Sequence, residues 1–143
     1  GTSKSLLEGI VKKTDKYPLS WYFLGEIYKN VYPYSRDTKK LKNILLTITN
    51  SDLNNGIKLS AYDDLVKIEK DIDTAILYGK KAIKLEDNMF SRCILMTAYY
   101  NAYVTTRRDD YKNGMAENYD SRMKNLFMDA RIVPWIEEAL VKK

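Results

Sequence analysis

Apolar residues recur along this chain at the three-and-four spacing of buried helix faces. Leu6, Leu7, Ile10 and Val11 make a first short stripe, which ends near Thr14-Asp15. Pro18 stands where a second helix can begin, because its missing N–H has no partner to lose in a first turn. Phe23, Leu24, Ile27 and Tyr28 follow at helical spacing, and residues 30–36, with Pro33, read as a loop. Asp37 suits an N-cap, whose carboxylate can accept a bond from an orphan backbone N–H. After it, Leu41, Ile44, Leu45 and Ile48 trace one face of a third helix.

Residues 49–56 are polar and turn-like. Ile57, Ala61, Leu65 and Ile68 mark a fourth helix, and its other side carries Leu59, Tyr62 and Val66. Apolar cover on both sides is what a helix inside a stack requires. Asp71 or Asp73 caps the next, with Ile72, Ala75, Ile76, Gly79 and Ile83 on one face. Asp87-Asn88 interrupts and restarts the chain. Residues 89–104 are apolar nearly all round, which predicts the most buried helix. Residues 107–114 read as a charged loop. A further stripe holds Tyr119, Met123, Leu126, Phe127 and Ala130, stopped by Val133-Pro134. Trp135, Ile136, Ala139 and Leu140 then form a closing amphipathic helix, with Glu137, Glu138, Lys142 and Lys143 on its polar side. At least six helices and no sheet are expected, stacked as antiparallel pairs in one domain over residues 1–143. Only 6 Gly and 3 Pro punctuate the 143 residues, too few for the turns of a sandwich or barrel.

The stripes repeat. Tyr28 precedes Asp37 by nine residues, Tyr62 precedes Asp71 by nine, and Tyr100 precedes Asp109 by nine. The first two units are offset by 34 residues and the third by 38. In the second helix of each of the first two units, Asp37, Leu41, Ile44 and Ile48 fall on Asp71, Ala75, Tyr78 and Ala82. A helix pair that cannot bury its own apolar face gains stability when copied and stacked, which is the logic of an α-solenoid. Unit one carries Trp21-x-x-Leu24-Gly25-x-x-Tyr28, and this resembles the first-helix signature of tetratricopeptide repeats. Gly25 there lets the partner helix approach closely. Unit three keeps Cys93-x-x-Met96-Thr97-x-x-Tyr100, and unit two keeps only Tyr62. The long connection before Asp37, Lys40 and Leu41 is similar to the Sel-one-like branch of these repeats. The resemblance spans about residues 18–104. It implies an all-α, short α-solenoid of about three repeat units plus a C-terminal capping helix.

Composition narrows the chemistry. Hydrophobic residues make up 45% of the chain, enough for a core. The net charge is +5, but the basic residues come as scattered pairs beside carboxylates, which suits solvated helix faces better than a phosphate-tracking stripe. There is no histidine, which removes the commonest general base and transition-metal ligand. The glycines are isolated, so no phosphate loop exists. Adjacent acidic pairs such as Asp63-Asp64, Asp109-Asp110 and Glu137-Glu138 point about 100° apart on a helix and do not converge as an acid and a base would. Residues 109–120 place Asp, Asn, Gly and Asp at calcium-loop positions, but Tyr111 stands at position 3 and no bidentate Glu closes the set. No enzyme, no metal and no cofactor is expected. Cys93, the single cysteine, reads as a small core residue and forms no intramolecular disulfide.

The expected function is therefore non-catalytic protein binding. In repeats of this kind the first helices line a concave face, and the resemblance places Tyr22, Glu26, Lys29, Asp63, Lys67, Arg92, Tyr99 and Tyr103 along it as partner-binding residues. Tyrosine, present 12 times, is favoured at protein interfaces. Small bacterial proteins resembling Sel-one-like repeats are often exported, sometimes as lipoproteins, and some are immunity proteins that neutralise a secreted toxin. That role, in the periplasm with a leader removed ahead of Gly1-Thr2-Ser3, is the leading expectation. A lipid anchor in the precursor fits it, and the Lys-, Asn-, Ile- and Tyr-rich composition is compatible with an AT-rich bacterial gene. A cytoplasmic scaffold or secretion chaperone is the alternative, and a nucleic-acid binder the third. No small-molecule substrate is expected, and no stretch of 18 apolar residues crosses a membrane.

Overall fold

The computed structural model describes residues 2–13, 18–31, 38–120, 123, 134 and 137. Seven helices and no strand occur among them: α1 (Thr2–Lys13), α2 (Pro18–Val31), α3 (Thr38–Thr49), α4 (Asn55–Ile68), α5 (Ile72–Leu85), α6 (Met89–Thr106) and α7 (Asp109–Asn118). The all-α class expected from the apolar spacing is what is observed, with neighbouring helices packed against each other. No helix among the described residues is long and apolar enough to cross a membrane. The proposed cap at Asp37, most of the loop before it, Leu126, Phe127 and Ala130, and the closing helix apart from Glu137 lie outside the described residues.

The chain divides into two compact units, Gly1–Ile68 and Glu69–Lys143. In the first, α1 packs on α2, α2 on α3 and α3 on α4. The pairing of α2 with α3 is antiparallel. Tyr28, late in α2, lies 5.8 Å from the Lys40 ammonium early in α3, while Trp21, early in α2, shares a cleft with Asn50 just past the end of α3. Leu24 and Tyr28 of α2, Leu41, Ile44, Leu45 and Ile48 of α3, and Leu59, Ala61, Leu65 and Val66 of α4 are buried. The two-sided cover expected of α4 is thus present. A Cβ on Gly25 would stand 3.2 Å from Ile44 Cγ2 and 3.4 Å from Ile48 Cδ1, so this glycine does sit at a close helix approach.

In the second unit α6 packs on both α5 and α7. Asp71 caps α5, its carboxylate accepting from the Thr74 N–H at 2.9 Å. At α6, Asn88 accepts from the Ser91 N–H at 2.8 Å, and the Ser91 hydroxyl accepts from the Asn88 N–H at 3.0 Å, a reciprocal capping box. The α5–α6 approach is tighter than the one at Gly25: a Cβ on Gly79 would lie 2.7 Å from Leu95 Cα. Met96, Met115, Ala116 and Met123 form a fully buried cluster, with Met89, Cys93, Tyr99, Tyr100, Tyr103 and Tyr119 packed against it. Three of the four positions matched by the sequence spacing are buried in both helices: Leu41, Ile44 and Ile48 in α3, and Ala75, Tyr78 and Ala82 in α5.

Three expectations are corrected. Residues 107–114 are not a loop, because α7 begins at Asp109. Asp109 and Asp110 sit in its first turn, where carboxylates are stabilised by the exposed N–H groups and the helix dipole. The chain reverses instead over Arg107 and Arg108, and Arg107 takes the left-handed conformation (φ 59°) that ends α6. The calcium-loop spacing is thereby wound into a helix. Phe23 does not belong to the buried stripe of α2: it is 52% exposed. Finally, α6 is not the most buried helix for its length, since Phe90 and Val104 are exposed while half of the shorter α7 is buried.

Candidate functional site

The buried side of α2 is fixed by Leu24, Gly25 and Tyr28, and the opposite side follows from the helical period. At 100° per residue, Leu19, Tyr22, Phe23, Glu26 and Lys29 fall within a stripe about 120° wide. Leu19 is 50% and Phe23 52% exposed. The Tyr22 and Phe23 rings meet with centroids 5.4 Å apart and planes tilted by 59°, a geometry that suits the ring quadrupoles. Two exposed apolar side chains one turn apart, backed by a half-buried tyrosine, are unusual on a face that otherwise meets water.

Charged groups adjoin this stripe. The Lys29 ammonium donates to Glu26 at 2.9 Å and to Asp64 of α4 at 3.2 Å, tying α2 to α4. One turn of α4 away, Lys67 pairs with Asp63 at 2.9 Å. Burial alone would lower the Lys29 pKa, but the bonds and charges of Glu26 and Asp64 outweigh it and hold the ammonium above its ordinary 10.5. Asp64 is the more enclosed partner, and burial pushes its carboxyl above 3.8 against the pull of Lys29. On the far side of α2, Tyr28 donates its hydroxyl to Glu8 and receives the Lys4 ammonium over its ring at 4.5 Å.

Of the eight residues predicted to bind a partner, Tyr22, Glu26, Lys29, Asp63 and Lys67 belong to the first unit and Arg92, Tyr99 and Tyr103 to the second. Glu26 and Lys29 are joined directly, as are Asp63 and Lys67. In the second unit each predicted residue is engaged locally. Arg92 makes a two-pronged bond to Asp87, at 2.8 and 3.0 Å. Tyr99 lies against α7, its ring 2.5 Å from where a Gly114 Cβ would be. Burial, followed by the charges of Glu117 and Asp110, raises its phenol pKa. Tyr103 carries Arg107 at 5.3 Å and Lys112 at 5.9 Å from its ring centre. Tyr99 therefore acts in packing, and Gly114 is the signal in the sequence that marks it.

Sequence reasoning missed Leu19, Phe23 and Asp64. Phe23 was masked by its place beside Leu24, since either could belong to an apolar stripe. Asp64 was read as surface charge with Asp63, although neighbouring helical positions diverge enough for one to turn inward. Among the described residues, no group of three or more His, Cys, Asp or Glu is placed to hold a metal ion. Compared with known protein families, curated proteins and solved structures, the chain matches none.

Proposed function

We propose that the chain is a non-catalytic, protein-binding helical-repeat module, and that its partner docks on the exposed stripe of α2. The observation that carries this reading is the pair Leu19 and Phe23, half exposed beside Tyr22 and next to the Glu26–Lys29–Asp64 charges. An aromatic-aliphatic centre with charges of both signs at its margin is the anatomy of a specific protein interface. A polynucleotide would call for cations without their matching carboxylates. The lack of histidine in the sequence and the pairing of Glu26, Asp63 and Asp64 with Lys29 and Lys67 support a role without catalysis.

The repeat resemblance, with the burial of its matched positions in α3 and α5, supports the Sel-one-like assignment. Its known bacterial examples make an inhibitor or immunity protein against a secreted toxin the biological role we favour. The experiment is capture of the partner from the native host, followed by titration of that partner against Phe23→Ala and Leu19→Ala. Both side chains are half exposed, so truncating either is expected to cost the fold little. Phe23→Ala is expected to weaken binding by about 2 kcal/mol, and Lys67→Ala, at the rim, by much less. Unchanged affinity in both apolar variants removes α2 as the interface.

A further inference from the structure

We propose that a cleft between Trp21 and the C-terminal end of α3 receives a basic side chain, lysine or arginine, of a bound protein. The proposal rests on the protein-binding reading above and names the chemistry of a second point of attachment.

The cleft has a volume of about 600 Å³, which exceeds a single side chain and leaves space for the backbone that bears it. Trp21 and Leu46 give it apolar walls, and Asn43, Thr47 and Asn50 present a polar row one helical turn apart. Hydrogen bonds within the helix take up part of the donor capacity of this row. The Thr47 hydroxyl donates to the Asn43 carbonyl at 2.9 Å, and the Asn50 amide donates to the Leu46 carbonyl at 3.0 Å. The Ser51 hydroxyl donates to the Ile48 carbonyl at 2.6 Å and accepts from the Leu53 N–H. Beside the Asn43 amide, the acceptors that remain toward a guest are Thr47 Oγ1, Asn50 Oδ1 and the Asp52 carboxylate, of which Asp52 alone carries charge.

Charge points the same way. Among the described residues Asp52 is the one ionised group lining the cleft, and it is exposed and has no ion-pair partner. It stands just past the C-terminus of α3, where the helix dipole adds partial negative charge. On a chain of net charge +5 this spot is an exception, and it selects for a donor-rich cation. An indole face is also the best of the aromatic surfaces for an ammonium or guanidinium. The Trp21 N–H is buried without an acceptor. This unspent donor calls for an acceptor such as a peptide carbonyl, which a basic side chain on a polypeptide brings and a free polyamine does not.

The test is an NMR titration of the intact protein, following the indole N–H signal of Trp21, assigned with Trp21→Phe. The probes are a blocked Gly-Arg-Gly tripeptide, its Gln counterpart, and spermidine. The Arg peptide is expected to shift the signal saturably, and the Gln peptide is not. Asp52→Asn should weaken the Arg peptide about fivefold, the range for an exposed ion pair. Asn43→Asp, also at an exposed position, should strengthen it by a similar factor. No saturable shift, or an affinity unchanged in both variants, overturns the proposal. A spermidine response as strong as that of the peptide overturns its assignment to a protein side chain. Failure of the Phe23 test with a positive titration removes the α2 interface and keeps the cleft; the reverse pattern removes the cleft alone.

Discussion

Two glycines set how closely helices approach, and they rank differently from what the motif alone implies. Gly25 belongs to the repeat-like signature, yet its neighbours are the ends of isoleucine side chains, which can give. Gly79 faces the Leu95 backbone at 2.7 Å, which cannot. Alanine gains about 1 kcal/mol of helix propensity over glycine at either position. Gly25→Ala should therefore leave the urea midpoint nearly unchanged, while Gly79→Ala should lower stability by about 1–3 kcal/mol through overpacking. Equal midpoints for the two variants would contradict the tighter approach of α5 and α6. The Lys29–Asp64 pair makes a separate prediction. Because the folded state holds Lys29 above 10.5, its contribution is complete below that pH and is lost as pH rises through the raised value. Asp64 has the opposite sign for a carboxyl: its raised pKa favours the folded state as pH falls through that value, so acid does not remove stability through this group. Lys29→Met should cost about 1 kcal/mol near pH 7, a small figure because the ammonium is one-third exposed. The gap between parent and variant should narrow above pH 10.5, measured by urea unfolding at paired pH values.

At the scale of the element, the helices whose apolar period was clean were legible in the sequence: the stripes at Leu41–Ile44–Leu45–Ile48 and Ala75–Ile76–Gly79 are buried as expected. The helix α7 was not, and the reason is physical. Asp109, Asp110, Asn113 and Gly114 are weak helix formers by propensity, and the segment reads as a turn. Burial of Tyr111, Met115 and Ala116 against α6 overrides that preference. Caps were legible where a side chain does the capping. Asp71, one of two candidates at α5, is such a case, whereas Asp87-Asn88 marked only where the chain restarts before α6. The Ser91 half of the Asn88 box went unread, because the common box residue at that place is Glu or Gln. Ser91 is fully buried, and its hydroxyl also donates to the Glu86 carbonyl at 2.6 Å. Ser91→Ala should thus destabilise by about 1–2 kcal/mol, more than an exposed cap would. A thermal midpoint equal to the parent would show that the box contributes little.

For the whole molecule, spacing revealed the helix order, and the division into Gly1–Ile68 and Glu69–Lys143 was beyond its reach. The boundary falls between Tyr62 of α4 and Asp71 before α5, which the sequence spacing groups together, so periodicity in the sequence and compactness in space follow different frames. The candidate site was half legible. Residue types at helical spacing located Tyr22, Glu26 and Lys29 on one side of α2. Whether Phe23 faced the core or water depended on which neighbours α2 meets, and a single helix does not encode that. The second unit also contains its own chemical clock. Met96, Met115 and Met123 are fully buried, whereas Met89 is only partly covered. Peroxide oxidises a thioether it can reach, so Met89 should become the sulfoxide first. The three buried sulfurs should follow at a rate set by how often this unit opens. Peptide mass mapping over a peroxide time course then reads the opening free energy of the second unit in the unlabelled, unmodified protein. Simultaneous oxidation of Met89, Met96, Met115 and Met123 would mean that this core is not closed in solution.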